Sequence, residues 1–164
     1  MDDRKDDYRS LDPRVVRLWR IDAAITTAVV LTVVLVPIGL TSAAGMWTAT
    51  LALSIVWLLL AAFGLWQIVW YPQAAFRVYG FRIDEKVLEI RSGVVFRVER
   101  LLPLSRLQHV DVRRGPLERA NGLATLILHT AGTREAAMRI PGLEAEEASR
   151  LRDRLVAIGG DDAV

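Results

Sequence analysis

The sequence predicts a membrane protein of two parts, an α-helical hairpin that crosses the membrane and an α+β domain that follows it. Three observations predict this division. The 164 residues are 52% hydrophobic, with a mean hydropathy of +0.29, which is too apolar for an ordinary small soluble domain. Residues 23–76 form a block of 54 residues without Asp, Glu, Lys or Arg. Beyond this block, long apolar runs give way to the short alternating runs that are typical of strands.

Two apolar runs inside the uncharged block predict the two membrane spans. Ala23–Leu40 has 18 residues and Ala49–Trp70 has 22, and a helix needs about 20 to cross a hydrocarbon core. Backbone polar groups cannot stay unpaired in lipid, so both runs should be helical. Between them, Thr41–Thr48 is long enough only to reverse the chain. Pro37, near the end of the first run, predicts a kink or a helix terminus there.

Basic residues beside the spans predict that both chain termini are cytoplasmic and that the protein is multi-pass in the cell membrane. The connector between the spans has no basic residue. Six precede the first span and four follow the second: Arg4, Lys5, Arg9, Arg14, Arg17 and Arg20, then Arg77, Arg82, Lys86 and Arg91. Trp19, Trp47, Trp70 and Tyr71 lie at the predicted span ends, where such rings favour the headgroup layer.

Two other interpretations of the apolar block are weaker. A secretory signal peptide ending near Ser42-Ala43-Ala44 would have an apolar region of 7–15 residues, and a second span would not follow it directly. A pair of buried helices in a soluble core would need more surrounding chain than this sequence has. We therefore expect a cytoplasmic tail (residues 1–22), a transmembrane hairpin (23–71, with spans 23–40 and 49–70), a cytoplasmic domain (72–158) and a short tail (159–164).

The cytoplasmic domain is expected to be mostly antiparallel β-structure, because its short apolar runs are joined by turn residues. The predicted strands are Ala75–Ile83, Val87–Arg91, Val94–Leu102, Leu107–Arg113, Leu123–Thr130 and Glu135–Ile140. Residues 144–158 differ, since Ala148, Leu151, Leu155 and Ile158 recur at a helical spacing. This amphipathic helix should lay one face on the sheet, and Gly159-Gly160 should end it.

The stretch from Pro103 to Gly132 (PLSRLQHVDVRRGPLERANGLATLILHTAG) resembles the bacterial pleckstrin-homology-like (PH-like) domain of membrane proteins of the YdbS type. The resemblance extends over residues 76–158, and a pair of upstream spans is common in that family. Its most specific pieces are Pro103 with Arg106-Leu107-Gln108, then Arg119, Gly122-Leu123 and the Thr130-Ala131-Gly132 turn. The family pattern often has Ile at position 107 and an aromatic residue at position 121, where this chain has Leu and Asn. The resemblance implies a PH-like antiparallel β-barrel or bent sheet of about seven strands, capped by a C-terminal helix.

No pattern in the sequence predicts an enzyme or a cofactor. Motifs of the G-x-S-x-G, Walker A and dinucleotide-binding types are missing, and so are nucleic-acid-binding signatures. With no cysteine, a metal site would need His109, His129 and a carboxylate such as Asp111. We expect no metal or catalytic site, and a surface hydrogen bond between His109 and Asp111 if they share a strand face.

Basic residues near one predicted strand are the candidate ligand- or partner-binding residues. They are Arg106, Gln108, Arg113, Arg114 and Arg119, with Arg97 and Arg100 on the preceding strand. Their guanidinium groups could contact anionic headgroups at about 1 kcal/mol each near a membrane surface. The alternative is an ordinary solvated surface with Glu99, Asp111 and Glu118 interleaved. For Arg106, either a structural hydrogen bond or a ligand contact fits its place at a strand entry.

These observations predict a non-enzymatic, membrane-anchored binding or scaffold module whose partners are membrane lipids and other proteins. The resemblance implies a homo-oligomer or a hetero-complex with another PH-like membrane protein. The alternatives are a sensor of anionic lipids or small ligands and, last, a transporter or channel subunit. Ionisable residues usually mark transport pathways, and the spans contain none.

Overall fold

The computed structural model of the chain describes residues 8–84, 86–130 and 137–161, and it divides into two units. The helical unit is Trp19–Gln73. The second unit, which we call the β-domain, combines Met1–Leu18 with Ala74–Val164. The β-domain is therefore discontinuous in sequence, because the helical unit is inserted between its two segments.

The helical unit is built from α1 (Arg14–Ala43), whose first residues belong to the β-domain, and α2 (Trp47–Val69). Both helices are long and apolar enough to cross a membrane, and only 0% and 6% of their most apolar windows are buried. A core helix of a soluble protein would bury most of that surface. The predicted membrane hairpin is confirmed.

Contacts between α1 and α2 show two antiparallel helices in close approach. The hydroxyls of Thr41 and Thr50 are 3.1 Å apart, and the Trp57 indole Nε1 donates to the Leu31 carbonyl at 3.1 Å. Farther along, Gly64 lies against Thr27 so closely that a Cβ at position 64 would overlap the threonine side chain. Small residues and interhelical hydrogen bonds are the usual means of helix association in lipid.

The first helix does not end at Pro37. It continues to Ala43, and the chain reverses through Gly45, whose φ of +70° favours glycine. The Thr41 hydroxyl donates to the carbonyl of Pro37 at 2.9 Å. Such bonds are one way that proline is accommodated inside a transmembrane helix.

The β-domain contains two antiparallel three-stranded sheets. The first has the order β1 (Gly80–Ile83), β2 (Val87–Ser92), β3 (Val98–Pro103), and the second has the order β4 (Leu107–Arg113), β5 (Leu123–Thr130), β6 (Ala137–Glu144). A 3₁₀ turn, Leu104–Arg106, joins β3 to β4, and a short helix α4 (Pro116–Ala120) joins β4 to β5. The described residues thus hold six strands, as the sequence pattern predicts, in two sheets.

Three strand boundaries differ from the prediction by more than one residue. Residues 75–78 are not strand but the end of a helix, α3 (Tyr71–Val78), because Pro72 is well suited to a helix start. The third strand begins at Val98 rather than Val94. The last strand runs on through Pro141 and Gly142 to Glu144. The predicted residues Glu135 and Ala136 and the turn at residues 131–133 lie outside the described residues.

The C-terminal helix α5 (Ala145–Asp161) packs on the second sheet, as its pattern predicts. Its residues Ala148, Leu151 and Leu155 are buried, and they meet the buried face of β4, β5 and β6. The helix continues through Gly159 and Gly160, so the predicted end at that pair is wrong. Glycine within a helix costs about 1 kcal/mol, and this does not prevent the helix from continuing.

The segment before α1, together with the first turn of α1, completes the β-domain core, which the sequence did not reveal. Leu11 is 2% exposed and Val15 is fully buried, so residues 8–15 are part of the fold rather than a free tail. Arg9 and Phe81 exchange backbone hydrogen bonds of 2.9 and 3.1 Å, which adds a one-residue bridge to the free edge of β1. The Asp12 N–H donates to the Gly142 carbonyl at 3.0 Å.

A bulge in β6 receives this segment. Between the pairs Ala124–Leu143 and Leu126–Ile140, β6 has two residues where β5 has one, and the second of them is Gly142 with a φ of +65°. A Cβ on Gly142 would overlap the Val15 side chain. Glycine is therefore required here both by its backbone conformation and by the close approach of Val15.

The packing of the N-terminal segment predicts the effect of truncating Leu11. We expect Leu11→Ala to lower the free energy of unfolding of the β-domain by about 2–5 kcal/mol, because it removes a fully buried leucine and leaves a cavity. The measurement is hydrogen exchange of the strand amides in the full chain. Leu101→Ala, at a leucine that is 65% exposed, is the matched control, and its change should stay within about 0.5 kcal/mol. Equal exchange rates in the two variants would contradict the packing.

Candidate functional site

The five residues predicted to bind a ligand or partner are all exposed, and they fall into two groups at opposite ends of β4. Arg106 and Gln108 lie at its entry, and Arg113, Arg114 and Arg119 lie at or beyond its exit. At about 3.3 Å per residue, the ends of this strand are roughly 20 Å apart. One small ligand cannot contact both groups, so their binding role stays a prediction for each group separately.

The residues at the exit of β4 and their neighbours make several structural hydrogen bonds. The Arg114 Nη2 donates to the Ala145 carbonyl at 3.0 Å, at the start of α5. Glu118, which the sequence suggests as a solvated acid, accepts the Gly115 N–H at 2.6 Å and the Thr125 hydroxyl. Asn121, at the position where the family favours an aromatic residue, donates to the Leu117 carbonyl at 2.8 Å. The bond between Glu118 and Thr125 joins α4 to β5, and the bond from Arg114 joins the loop before α4 to α5.

The entry group is solvated. In the described part of the chain, the Arg106 side chain has no hydrogen bond or ion pair. Gln108 sits at a register irregularity of β4, between Leu107 and His109. The structural hydrogen bond considered for Arg106 is therefore not found among the described residues, which leaves its guanidinium available to a ligand.

The two histidines meet across neighbouring strands. His109 pairs with His129 in the β4–β5 ladder, and their ring centroids are 6.1 Å apart. The Asp111 carboxylate lies between them, 2.8 Å from His109 Nε2 and 3.4 Å from His129 Nε2. The expected pairing of His109 with Asp111 is found as a close contact between the two side chains. All three side chains are 40–70% exposed, so this cluster is solvated.

Exposed apolar side chains of the β-domain concentrate around β3. Among its described residues, five large apolar side chains are exposed: Val95, Phe96, Val98, Leu101 and Val156. Four of these lie between positions 95 and 101. Gly93, with a φ of +97°, shapes the loop before β3, because a Cβ there would overlap the Phe96 carbonyl oxygen. Val95 and Phe96, which are 80% and 81% exposed, therefore lie in a loop whose backbone conformation Gly93 fixes.

The edge of β3 is also open. This strand pairs with β2 on one side, and no other described strand pairs with it. Leu102 faces the core beside Leu88, whereas Leu101 points outward opposite Glu89. We call residues 95–101 the apolar edge. It offers both unpaired backbone groups and exposed apolar side chains, which are the two features that a binding strand or segment uses.

A second feature is a cleft of about 550 Å³ in the β-domain. Its walls come from the N-terminal segment, the end of α3 and the loop end of the first sheet, and we call it the arginine cleft. It is lined by residues 8–10, 76–80, 91–92 and 97–99, with four arginines: Arg9, Arg77, Arg91 and Arg97. The sequence did not predict it, because the lining residues are spread over 92 positions of the chain.

Tyr8 and Arg91 form the floor of the arginine cleft. The Arg91 guanidinium carbon lies 3.9 Å from the centroid of the Tyr8 ring, a cation–π contact. Its Nε is 3.0 Å from a Glu99 carboxylate oxygen, an ion-pair distance, although the N–H does not point along a hydrogen bond. Burial, together with a hydrogen bond to Glu89 and the charge of that carboxylate, raises the pKa of Tyr8 to about 12. Tyr8 therefore stays a hydrogen-bond donor at every physiological pH.

Comparison with known proteins gives two matches. A family model described as bacterial PH domain matches residues 20–157. The chain is 32% identical over 164 residues to the UPF0699 transmembrane protein YdbS of Bacillus subtilis (strain 168), and the alignment covers 97% of this chain and 99% of that protein. No solved structure matches the chain. Both matches include the hairpin together with the sheets.

The environment of Tyr8 predicts a loss of stability at high pH. A tyrosine whose folded pKa exceeds its unfolded value of 10 stabilises the fold below that value, and this contribution is lost as pH rises toward about 12. We therefore expect the β-domain to unfold more easily above pH 10, as followed by hydrogen exchange or circular dichroism. Tyr8→Phe should reduce this dependence, and ultraviolet titration should show one fewer tyrosinate forming near pH 12. A titration identical to that of the parent chain would refute the assignment.

Proposed function

The chain belongs to the bacterial PH domain family and is a membrane protein, and on this premise we propose that it is a non-enzymatic binding module anchored at the cytoplasmic surface of the membrane. The module recruits or organises a protein partner, and the complex includes a second membrane protein with a PH-like domain. The helical hairpin acts as the anchor, since its spans carry no ionisable residue.

The single observation that carries this proposal is the apolar edge. None of the large apolar side chains in the other described strands is exposed, but Val98 and Leu101 of β3 are exposed, together with Val95 and Phe96 in the loop before it. Concentrated exposed apolar side chains commonly mark interaction sites. An unpaired edge beside them can accept an extended segment of a partner through backbone hydrogen bonds, with Leu101 as an apolar anchor.

The sidedness proposed here rests on two arguments. Residues 8–18 and 74–161 form one folded unit, so the chain must return to the side of the membrane from which it left. Two spans satisfy this requirement, and one does not. Basic residues then indicate that this side is the cytoplasm, because they lie before the first span and after the second, and none lies in the connector.

A sensor of anionic lipid or of a small ligand, acting through the surface from Arg106 to Arg119, is the second candidate. The Arg106 side chain, which has no partner among the described residues, supports it, and the structural use of Arg114 argues against a single extended surface. Liposome binding separates the candidates, because headgroup recognition must respond to anionic lipid and to salt. Such an experiment needs the full chain, since a fragment starting at residue 76 would lack Leu11 and Val15 from its core.

The proposed sidedness can be tested by cysteine labelling, because the chain has no native cysteine. We expect a single cysteine at Met46, in the connector, to react with an impermeant maleimide on intact cells. A cysteine at Val156, on the exposed side of α5, should react only after the cells are opened. Labelling of position 156 on intact cells, or of both positions only after opening, would exclude this topology.

The proposed partner surface can be tested by photo-crosslinking in native membranes. A photoreactive residue at Leu101 should give a discrete adduct, and mass spectrometry should identify the partner as a membrane protein with a PH-like domain. The matched control is the same residue at Val156, which is exposed to a similar degree, 54% against 65%, but lies away from β3. Leu101→Glu should abolish the complex without unfolding the domain. Equal adducts at both positions, or none at position 101, would refute the proposal.

A further inference from the structure

We propose that the arginine cleft binds an anion of the phosphate class, carried either by the headgroup of an anionic lipid or by a small phosphorylated solute. This site shares residues 97–99 with the apolar edge, and Arg97 is the one basic residue that it shares with those suggested by the sequence. Its walls come from the two chain segments that flank the membrane hairpin, residues 8–10 before it and 76–80 after it.

Charge is the first argument for an anionic ligand. Four arginines and one glutamate line the cleft. Two of the arginines are engaged, Arg9 with Glu147 at 3.3 Å and Arg91 with Glu99 at 3.0 Å. The other two, Arg77 and Arg97, are exposed and have no ion pair within the described ranges. Two guanidinium groups can together neutralise one phosphate, and each can bind two of its oxygens at once.

The remaining lining is suited to a phosphate ester. The hydroxyls of Ser10 and Ser92 line the cleft and make no hydrogen bond to another described residue, so they can donate to phosphate oxygens. Phe76 and Val78 supply an apolar part of the wall. The volume of about 550 Å³ is within the range of small-molecule sites, which is roughly 300–1,000 Å³, and it accommodates a headgroup or a phosphorylated metabolite.

The short chain between the second span and the cleft allows a lipid headgroup to supply the phosphate group. Arg77 follows Trp70, the end of the second apolar run, by seven residues, which corresponds to about 10 Å of chain at the helical rise. A basic residue within about a Debye length of an anionic membrane surface gains about a fivefold preference for it.

The test uses the full chain in a neutral detergent, with one arm for each source. In the lipid arm, native mass spectrometry compares the retention of phosphatidylglycerol with that of phosphatidylcholine. In the solute arm, calorimetry measures the binding of inorganic phosphate and of glycerol phosphate. Arg77→Gln and Arg97→Gln alter the two cleft arginines that have no ion pair among the described residues. Arg139→Gln and Arg154→Gln are matched controls at exposed arginines outside both the cleft and the surface from Arg106 to Arg119.

We expect each cleft variant to weaken binding about fivefold in the arm that responds, and the control variants to bind as the parent chain does. A response in the lipid arm identifies a headgroup as the ligand, and a response in the solute arm alone identifies a soluble phosphate compound. No preference for an anion in either arm, or an equal loss in the control variants, would overturn the proposal. An unchanged unfolding midpoint confirms that the variants are folded. Crosslinking at Leu101 is independent of these results, so this site and the partner surface can fail separately.

Discussion

The rest of this structure depends on one constraint, which is that two segments separated by a membrane hairpin must meet to complete a single hydrophobic core. Leu11 and Val15 come before the first span, and they are buried in the same unit as Phe81 and Ile140 from beyond the second. A single span would leave these segments on opposite sides of the membrane. Two antiparallel helices, in contact from Thr41–Thr50 to Thr27–Gly64, return the chain to the side from which it came.

Apolar burial, rather than surface charge, accounts for most of the attachment of the N-terminal segment. Fully burying a leucine or valine side chain contributes about 1.5–3 kcal/mol. The exposed ion pair between Arg9 and Glu147 contributes at most about 1 kcal/mol, and salt weakens it. Asp12 is more tightly held, because hydrogen bonds from Arg14 keep the pKa of this carboxyl below its usual value. Its role is to fix the start of α1, while Leu11 and Val15 supply the core contacts.

Sequence patterns predicted the features that depend on local periodicity. Both spans were found, the bounds of β4 and β5 are those predicted, and the resemblance to bacterial PH-like proteins is confirmed by the family match. The N-terminal segment was missed because its apolar residues lie in a stretch rich in charge, and its partners Phe81 and Gly142 are far away in the sequence. Residues 75–78 alternate like a strand, but Pro72 starts a helix that runs through them.

For the candidate sites, too, the sequence did not reveal which distant residues lie close together in the fold. Arg106 and Arg119 are close in sequence and belong to one family motif, yet β4 separates the groups to which they belong. Conversely, Arg9, Arg77 and Arg97 share no motif and meet only because the segments flanking the hairpin fold together. Clustering in sequence therefore pointed to the surface from Arg106 to Arg119, whereas the three-dimensional fold brings other arginines together in the arginine cleft.

The discontinuous core can be tested most directly by removing the hairpin. A chain in which residues 8–18 are joined to residues 74–161 by a flexible Gly/Ser linker should be soluble and should unfold in urea in a single cooperative transition. Residues 74–161 alone should lack that transition, because Leu11 and Val15 are then missing from the core. If residues 74–161 alone unfold with the same midpoint as the linked chain, the N-terminal segment is not part of the core and the account is wrong.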